Sequence, residues 1–111
     1  MVPLIGSNKY KAAVFISGTG SNLKSLIKFS KTKKSPIAIS LIITDNSKAK
    51  GLGFANTNKI KKKIFSFKDK KLAEKRILLE LKKNKIHIIC LAGFMRILSK
   101  SFIKNFTGKI L

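Results

Sequence analysis

Residues 12–16, Ala-Ala-Val-Phe-Ile, run without a break into Ser17-Gly18-Thr19-Gly20-Ser21-Asn22-Leu23, and this junction constrains the chain more than any other stretch. An apolar run with β-branched and aromatic members reads as a buried strand. The glycines that follow let the backbone turn tightly and leave room for a ligand where a Cβ would stand, while Ser21 and Asn22 bring polar side chains to a helix start. Unpaired N–H groups and the positive end of the helix dipole favour an anion at that point, a phosphate above all. An ordinary strand-to-helix turn carries the same short signature, so the junction alone leaves both readings open.

The rest of the chain alternates. Residues 1–10, with Pro3, Gly6, Ser7 and Asn8, read as a loose extension ahead of a domain at 11–111. After the glycine turn, Leu23, Leu26 and Ile27 fall at helical spacing. The β-branched run 37–44 predicts a second strand, and 48–58 a helix on Ala49, Leu52 and Ala55. A short strand is expected at 63–65. Ser66 with Asp69 three positions on resembles a capping box, opening a long helix whose buried face carries Leu72, Ala73, Ile77 and Leu81. Residues 86–91 are nearly continuously apolar, as a strand covered on both faces requires, and 99–105 and 109–111 predict a short helix and the start of a fifth strand. The expected fold is therefore α/β: a Rossmann-like parallel sheet with helices on both faces, truncated after the start of its fifth strand. Ligands in such sheets gather at the carboxyl ends of strands, which singles out the glycine turn and the loop 92–98.

Composition bounds the function. A chain of 111 residues makes one domain at most, and its 44% hydrophobic residues never approach the ~20 consecutive apolar positions of a membrane span. The first residues lack the basic and apolar regions of a signal peptide, and the lone Cys90 sits in an apolar run, so a reducing, cytoplasmic setting is expected. Lys and Arg number 25 against 4 Asp and Glu, a net charge of +21 that ordinarily points to nucleic acid or an anionic membrane. Here the charge is scattered and almost all lysine, with Arg76 and Arg96 the only arginines, whereas phosphate and base readers favour clustered arginine forks. The runs Lys31-Thr32-Lys33-Lys34 and Lys61-Lys62-Lys63 are read as solvated loops or helix ends, and no specific nucleic acid or membrane partner is expected.

Taken together, 16–23 and Leu91-Ala92-Gly93-Phe94-Met95-Arg96-Ile97-Leu98-Ser99 resemble the phosphoribosylglycinamide formyltransferases, folate-dependent enzymes of purine biosynthesis. The likeness extends from about Lys11 to Leu111, and the second motif is the more specific. It implies that the domain is the N-terminal, nucleotide-binding part of a formyltransferase. Gly20, Ser21 and Asn22 would hold the phosphate of glycinamide ribonucleotide. Lys70, Met95, Arg96, Ile97 and Leu98 would line the site for 10-formyltetrahydrofolate, the formyl donor, with no metal involved. Lys70 falls where the family commonly has arginine, so one ammonium replaces a bidentate fork.

The resemblance also implies an asparagine, a histidine and a later aspartate as catalytic groups, in segments that follow the strand beginning at Lys109. This chain shows none of them, so no catalytic residue is assigned and the 111 residues are expected to be inactive alone. His87, the only histidine, sits at the start of the fourth strand, the end opposite the ligand crevice, and a structural or surface role is expected for it. A nicotinamide-binding domain is the competing enzyme reading, since Asp45 ends the second strand where an acid would hold a ribose diol, but the turn lacks the third glycine of that fingerprint. A basic nucleic-acid-binding module is the non-enzymatic one.

Overall fold

A computed structural model describes residues 9–18 and 21–111, Ser21 by its backbone only. Of the sequence-based expectations, the extension at 1–8, Gly20 and the side chain of Ser21 lie outside these described residues. The elements alternate as β1 (Tyr10–Ile16), α1 (Ser21–Ser30), β2 (Ile37–Thr44), α2 (Leu52–Thr57), β3 (Lys61–Ile64), α3 (Lys70–Lys83), β4 (Ile88–Leu91), α4 (Lys100–Asn105) and β5 (Lys109–Ile110). Among the described residues the five strands form one sheet in the order β3-β2-β1-β4-β5, every neighbouring pair parallel. Strand β1 begins two residues earlier than the apolar run suggests, because Tyr10 already pairs with Ile37.

Period-two alternation in the central strand builds two cores. Ala12, Val14 and Ile16 face one side and meet Leu23 and Ile27 of α1 and Leu52 and Ala55 of α2. Ala13 and Phe15 face the other and meet Ile77 and Leu81 of α3 and Phe102 of α4. In β2 the alternation slips: Ala12 pairs with Ile39 and Ala13 with Leu41, leaving Ser40 as an extra residue in the ladder. The slip sends Ile37 and Ile39 to the first core but Leu41 and Ile43 to the second.

Helix ends account for most departures from expectation. The stretch 46–51 forms turns rather than the first part of a helix, since the Asn46 side chain accepts from Lys48 N and Ala49 N donates to the Asn46 carbonyl. Ala49 is buried all the same. Asp69, not Ser66, caps α3, accepting from Leu72 N at 3.1 Å, while Ser66 Oγ accepts from Lys68 N in a turn of its own. Leu72 is exposed, so the buried face of α3 is Ala73, Glu74, Ile77 and Leu81. Both α2 and α3 finish in a Schellman motif: Ile60 N donates to the Ala55 carbonyl and Ile86 N to that of Leu81. Ile86 therefore closes a helix and does not open β4. The residues at the left-handed position of these motifs are Lys59 and Lys85, both with φ of 55°.

The lysine run 61–63 is not a loop or helix end but the edge strand β3, with all four strand residues exposed. Lysines on an edge strand discourage pairing with other chains. Lys61 and Lys63 reach Glu80 of α3 at 3.3 and 3.9 Å, and Lys62 donates to the Asn56 side chain. The run 31–34 does form the turn expected of it.

Two substitutions probe these backbone features. Replacing Lys59 or Lys85 by glycine relieves a left-handed residue and is expected to stabilise the chain by about 1 kcal/mol each in urea unfolding. Gly108→Ala is expected to destabilise by about 1–3 kcal/mol, since its Cβ would stand 1.9 Å from the His87 carbonyl oxygen and force β5 off β4.

Candidate functional site

The parallel order places the carboxyl ends of β2, β1 and β4 side by side, and the polar groups there form one connected unit. Ser17, the residue that follows β1, donates from Oγ to Asp45 Oδ1 at 2.7 Å and accepts from Met95 N at 2.9 Å. Arg96 Nε donates to the other Asp45 oxygen at 2.7 Å. Asn46 Nδ2 donates to the Ser17 carbonyl at 3.2 Å, and Gly51 N to that of Gly18 at 3.4 Å, so the start of the glycine turn is held from the β2 side as well.

Burial pushes the Asp45 carboxyl up, but hydrogen bonds from Arg96, Ser17 and its own backbone amide, with the nearby guanidinium charge, outweigh this and hold its pKa below the ordinary value. Asp45 is thus an anion wherever the protein is folded at ordinary pH. Each of its oxygens already accepts a hydrogen bond from within the chain.

The loop after β4 starts at Gly93, whose φ of 76° is a conformation side chains rarely adopt. Phe94 then turns inward, edge-on to Phe15 at 5.3 Å and to Phe67 at 5.7 Å between ring centroids. Arg96 lies over the Phe67 ring at 5.7 Å. Phe67, Lys70, Met95, Arg96 and Ile97 line a recess of about 260 Å³. Met95 and Ile97 are exposed at 79% and 81%, so they are walls awaiting a surface and not core residues. The volume falls just under the roughly 300–1,000 Å³ of small-molecule sites, enough for one flat ring system but not for a whole folate.

The four residues Lys70, Met95, Arg96 and Ile97 therefore come together, whereas the side chain of Leu98 packs against the second core. Asn22 is exposed in the first turn of α1. Two residues escaped sequence reasoning. Phe67 carries no signal beyond its place just before a helix cap. Glu74, only 7% exposed, accepts from Ser99 N at 2.8 Å and Ser99 Oγ at 2.6 Å, and Ser99 in turn accepts from Phe102 N as the cap of α4. It fixes the far end of the loop. An acid flanking the apolar Ala73 of a buried helix face was its only trace.

His87 lies at the amino end of β4, across the sheet from the recess, with its ring edge-on to Tyr10 at 5.8 Å. Burial raises the pKa of Cys90, which marks an inert thiol. Among the described residues no group of three or more His, Cys, Asp or Glu is placed to hold a metal, and no helix is long and apolar enough to cross a membrane.

An open parallel sheet with a polar turn after its first strand and a partly apolar recess after its fourth defines an α/β domain of the doubly wound, Rossmann-like class. The formyl transferase family matches residues 10–111, and the chain belongs to that family. Among its relatives, the trifunctional purine biosynthetic protein adenosine-3 of Gallus gallus is 40% identical over 96% of this chain and 11% of that protein. The phosphoribosylglycinamide formyltransferase of Bacillus subtilis is 30% identical over 91% of this chain and 53% of its own length. The crystal structure of the Brucella melitensis phosphoribosylglycinamide formyltransferase superposes with a TM-score of 0.86 at 37% identity, covering 92% of this chain and 55% of that one. The chain thus spans about half the length of the bacterial relatives it matches and about a tenth of the vertebrate one.

Two outcomes check this geometry. Glu74→Ala is expected to cost about 2 kcal/mol, because it strips the α4 cap of its buried partner, read as a lowered midpoint in urea. Glu80 also has a lowered pKa: burial raises it, but hydrogen bonds from Asn84 and Lys61 and the Lys61 and Lys63 charges prevail. For Asp45 and Glu80 the folded pKa lies below the unfolded one, so their contribution is complete above the ordinary carboxylate range and is lost as pH falls through the folded values. Thermal stability should accordingly fall on acidification through that window, and fall less steeply in an Asp45→Asn, Glu80→Gln double variant that starts lower.

Proposed function

We propose that this chain is the ligand-holding part of a phosphoribosylglycinamide formyltransferase, acting where a formyl group passes from 10-formyltetrahydrofolate to the amine of glycinamide ribonucleotide in purine biosynthesis. The observation that carries the reading is the junction of the glycine turn with the loop 93–98 through Ser17, set in a chain matched to the formyl transferase family over 10–111. In this reading Gly20, Ser21 and Asn22 receive the ribonucleotide phosphate at the N-terminus of α1, where backbone N–H groups and the helix dipole favour an anion. Lys70, Met95, Arg96 and Ile97 receive the folate at the recess, and Leu98, whose side chain turns to the second core, contributes through its main chain. Its ring has a donor and acceptor edge that main-chain groups of the loop can match and faces that Met95 and Ile97 can cover. The scattered lysines would draw both anionic ligands inward. The same reading places the chain in the cytoplasm and needs no metal.

Formyl transfer demands more than holding. The amine attacks the formyl carbon, the carbonyl oxygen becomes an oxyanion, and a proton must pass from the attacking amine to the departing folate nitrogen. Asp45 is tied to Ser17 and Arg96 with its pKa held low, and His87 faces the other edge of the sheet, so neither is placed to carry that proton. Residues 1–111 contain no Asn-x-His segment and no aspartate after Asp69.

Calorimetry on the 111-residue chain is therefore expected to show binding of glycinamide ribonucleotide, with affinity cut about tenfold in Asn22→Ala, together with binding of a dideazafolate analogue. Formyl transfer by the same sample is expected to be undetectable. A folded sample that binds neither ligand overturns the reading, and turnover by the chain alone overturns the account of its chemistry.

A further inference from the structure

We propose that Asp45 is a positioning residue, locking the loop after β4 to the glycine turn after β1; its effect on folate binding rests on the function proposed above, its effect on the loop does not. The order of the bonds leaves little freedom. A serine hydroxyl has one proton, and Asp45 as a carboxylate can only accept, so the Ser17 proton points at Asp45 Oδ1 and its lone pairs are left for Met95 N–H. The second Asp45 oxygen holds Arg96 Nε at 2.7 Å, and that guanidinium lies over Phe67. One carboxylate thus sets a main-chain amide and a wall of the recess at once.

The arrangement differs from an exposed ion pair. The Asp45 side chain is only 8% exposed while that of Arg96 is 51% exposed, so the anion is the fixed member and the cation is the one drawn to it. Hydrogen bonds to charged groups are about twice as strong as neutral ones, and here two side-chain donors, Ser17 Oγ and Arg96 Nε, converge on the buried carboxylate. Asp45 sits on the far side of β1 from the loop it controls, since the sheet runs β2-β1-β4 and Ser17 bridges the gap. Replacing the carboxylate by an amide removes the charge that both donors converge on and lets NH₂ face Ser17, turning the Ser17 proton toward the Met95 amide and loosening that bond.

Hydrogen exchange resolved by residue tests the lock in the 111-residue chain. Asp45→Asn and Ser17→Ala are expected to speed exchange at Met95 N–H at least tenfold, with Leu91 and Ala92 N–H, bonded to the carbonyls of Leu111 and Phe15, as unchanged references. Ser17→Thr, which keeps the hydroxyl, is expected to retain protection. Met95 exchange that is unaltered in Asp45→Asn overturns the proposal, as does equal loss of protection at the reference amides, which would mean general unfolding. In calorimetry, Asp45→Asn should weaken the dideazafolate about tenfold while glycinamide ribonucleotide changes less than twofold. Equal weakening of both ligands overturns the positioning role. A wild-type chain that shows the expected exchange pattern but binds no folate analogue counts against the proposed function and leaves the lock standing.

Discussion

Everything in this molecule is hung on β1. Residues 12–16 have no exposed surface, the strand pairs with β2 on one side and β4 on the other, and its two faces supply the centre of both cores. A strand in that position can be extended only from its end, and the end delivers Ser17 and the glycine turn to the edge where β2 and β4 also stop. The site is a by-product of the burial: fully enclosed apolar strands force the polar groups that follow them into one another's reach.

The charge balance acquires a different meaning once the acids are located. With 25 bases and 4 acids, the chain has almost no negative charge to spend, and each carboxylate has a structural partner. Asp45 ties two loops, Asp69 caps α3, Glu74 holds the cap of α4, and Glu80 gathers Lys61, Lys63 and Asn84. Three of the four lie on or beside α3, which is why that helix, rather than the longer strands, organises the β3 edge and the far end of the loop. Several of the remaining bases are held by neutral groups instead: Lys9 and Lys11 donate to backbone carbonyls, and Lys31 and Lys62 to asparagine side chains.

How much of this was legible from the residues depends on range. The element order and the two loops at the carboxyl edge follow from local pattern, because a doubly wound sheet repeats one sequence rhythm and the glycine turn is contiguous. Helix ends were harder: Lys59 and Lys85 occupy positions where glycine is the usual marker, and Asn46 diverts its own backbone into a turn before α2 can start. The recess was half legible. Met95, Arg96 and Ile97 are adjacent in sequence and Lys70 came from resemblance, but Phe67 and Glu74 act across 27 and 25 residues, on Phe94 and Ser99, and no local pattern encodes such pairings. Asp45 was noticed for its place in the chain and not for its partners. Its position at a strand end was readable, but its partners Ser17 and Arg96 are 28 and 51 residues away.

The extra residue at Ser40 makes β2 a strand with a phase change in it. Its first half speaks to α1 and α2 through Ile37 and Ile39; half a period later, Leu41 and Ile43 answer to α3 and α4. A strand that kept strict alternation would bind its odd-numbered side chains to one helical layer throughout. With the slip, the odd-numbered side chains change layers at Ser40, and beyond it Ile42 faces the first core while Leu41 and Ile43 face the second, next to Thr44 and Asp45. Sliding β2 along its neighbours would then misplace apolar groups in both layers together, so the depth at which Asp45 is presented is fixed by packing on two sides of the sheet at once.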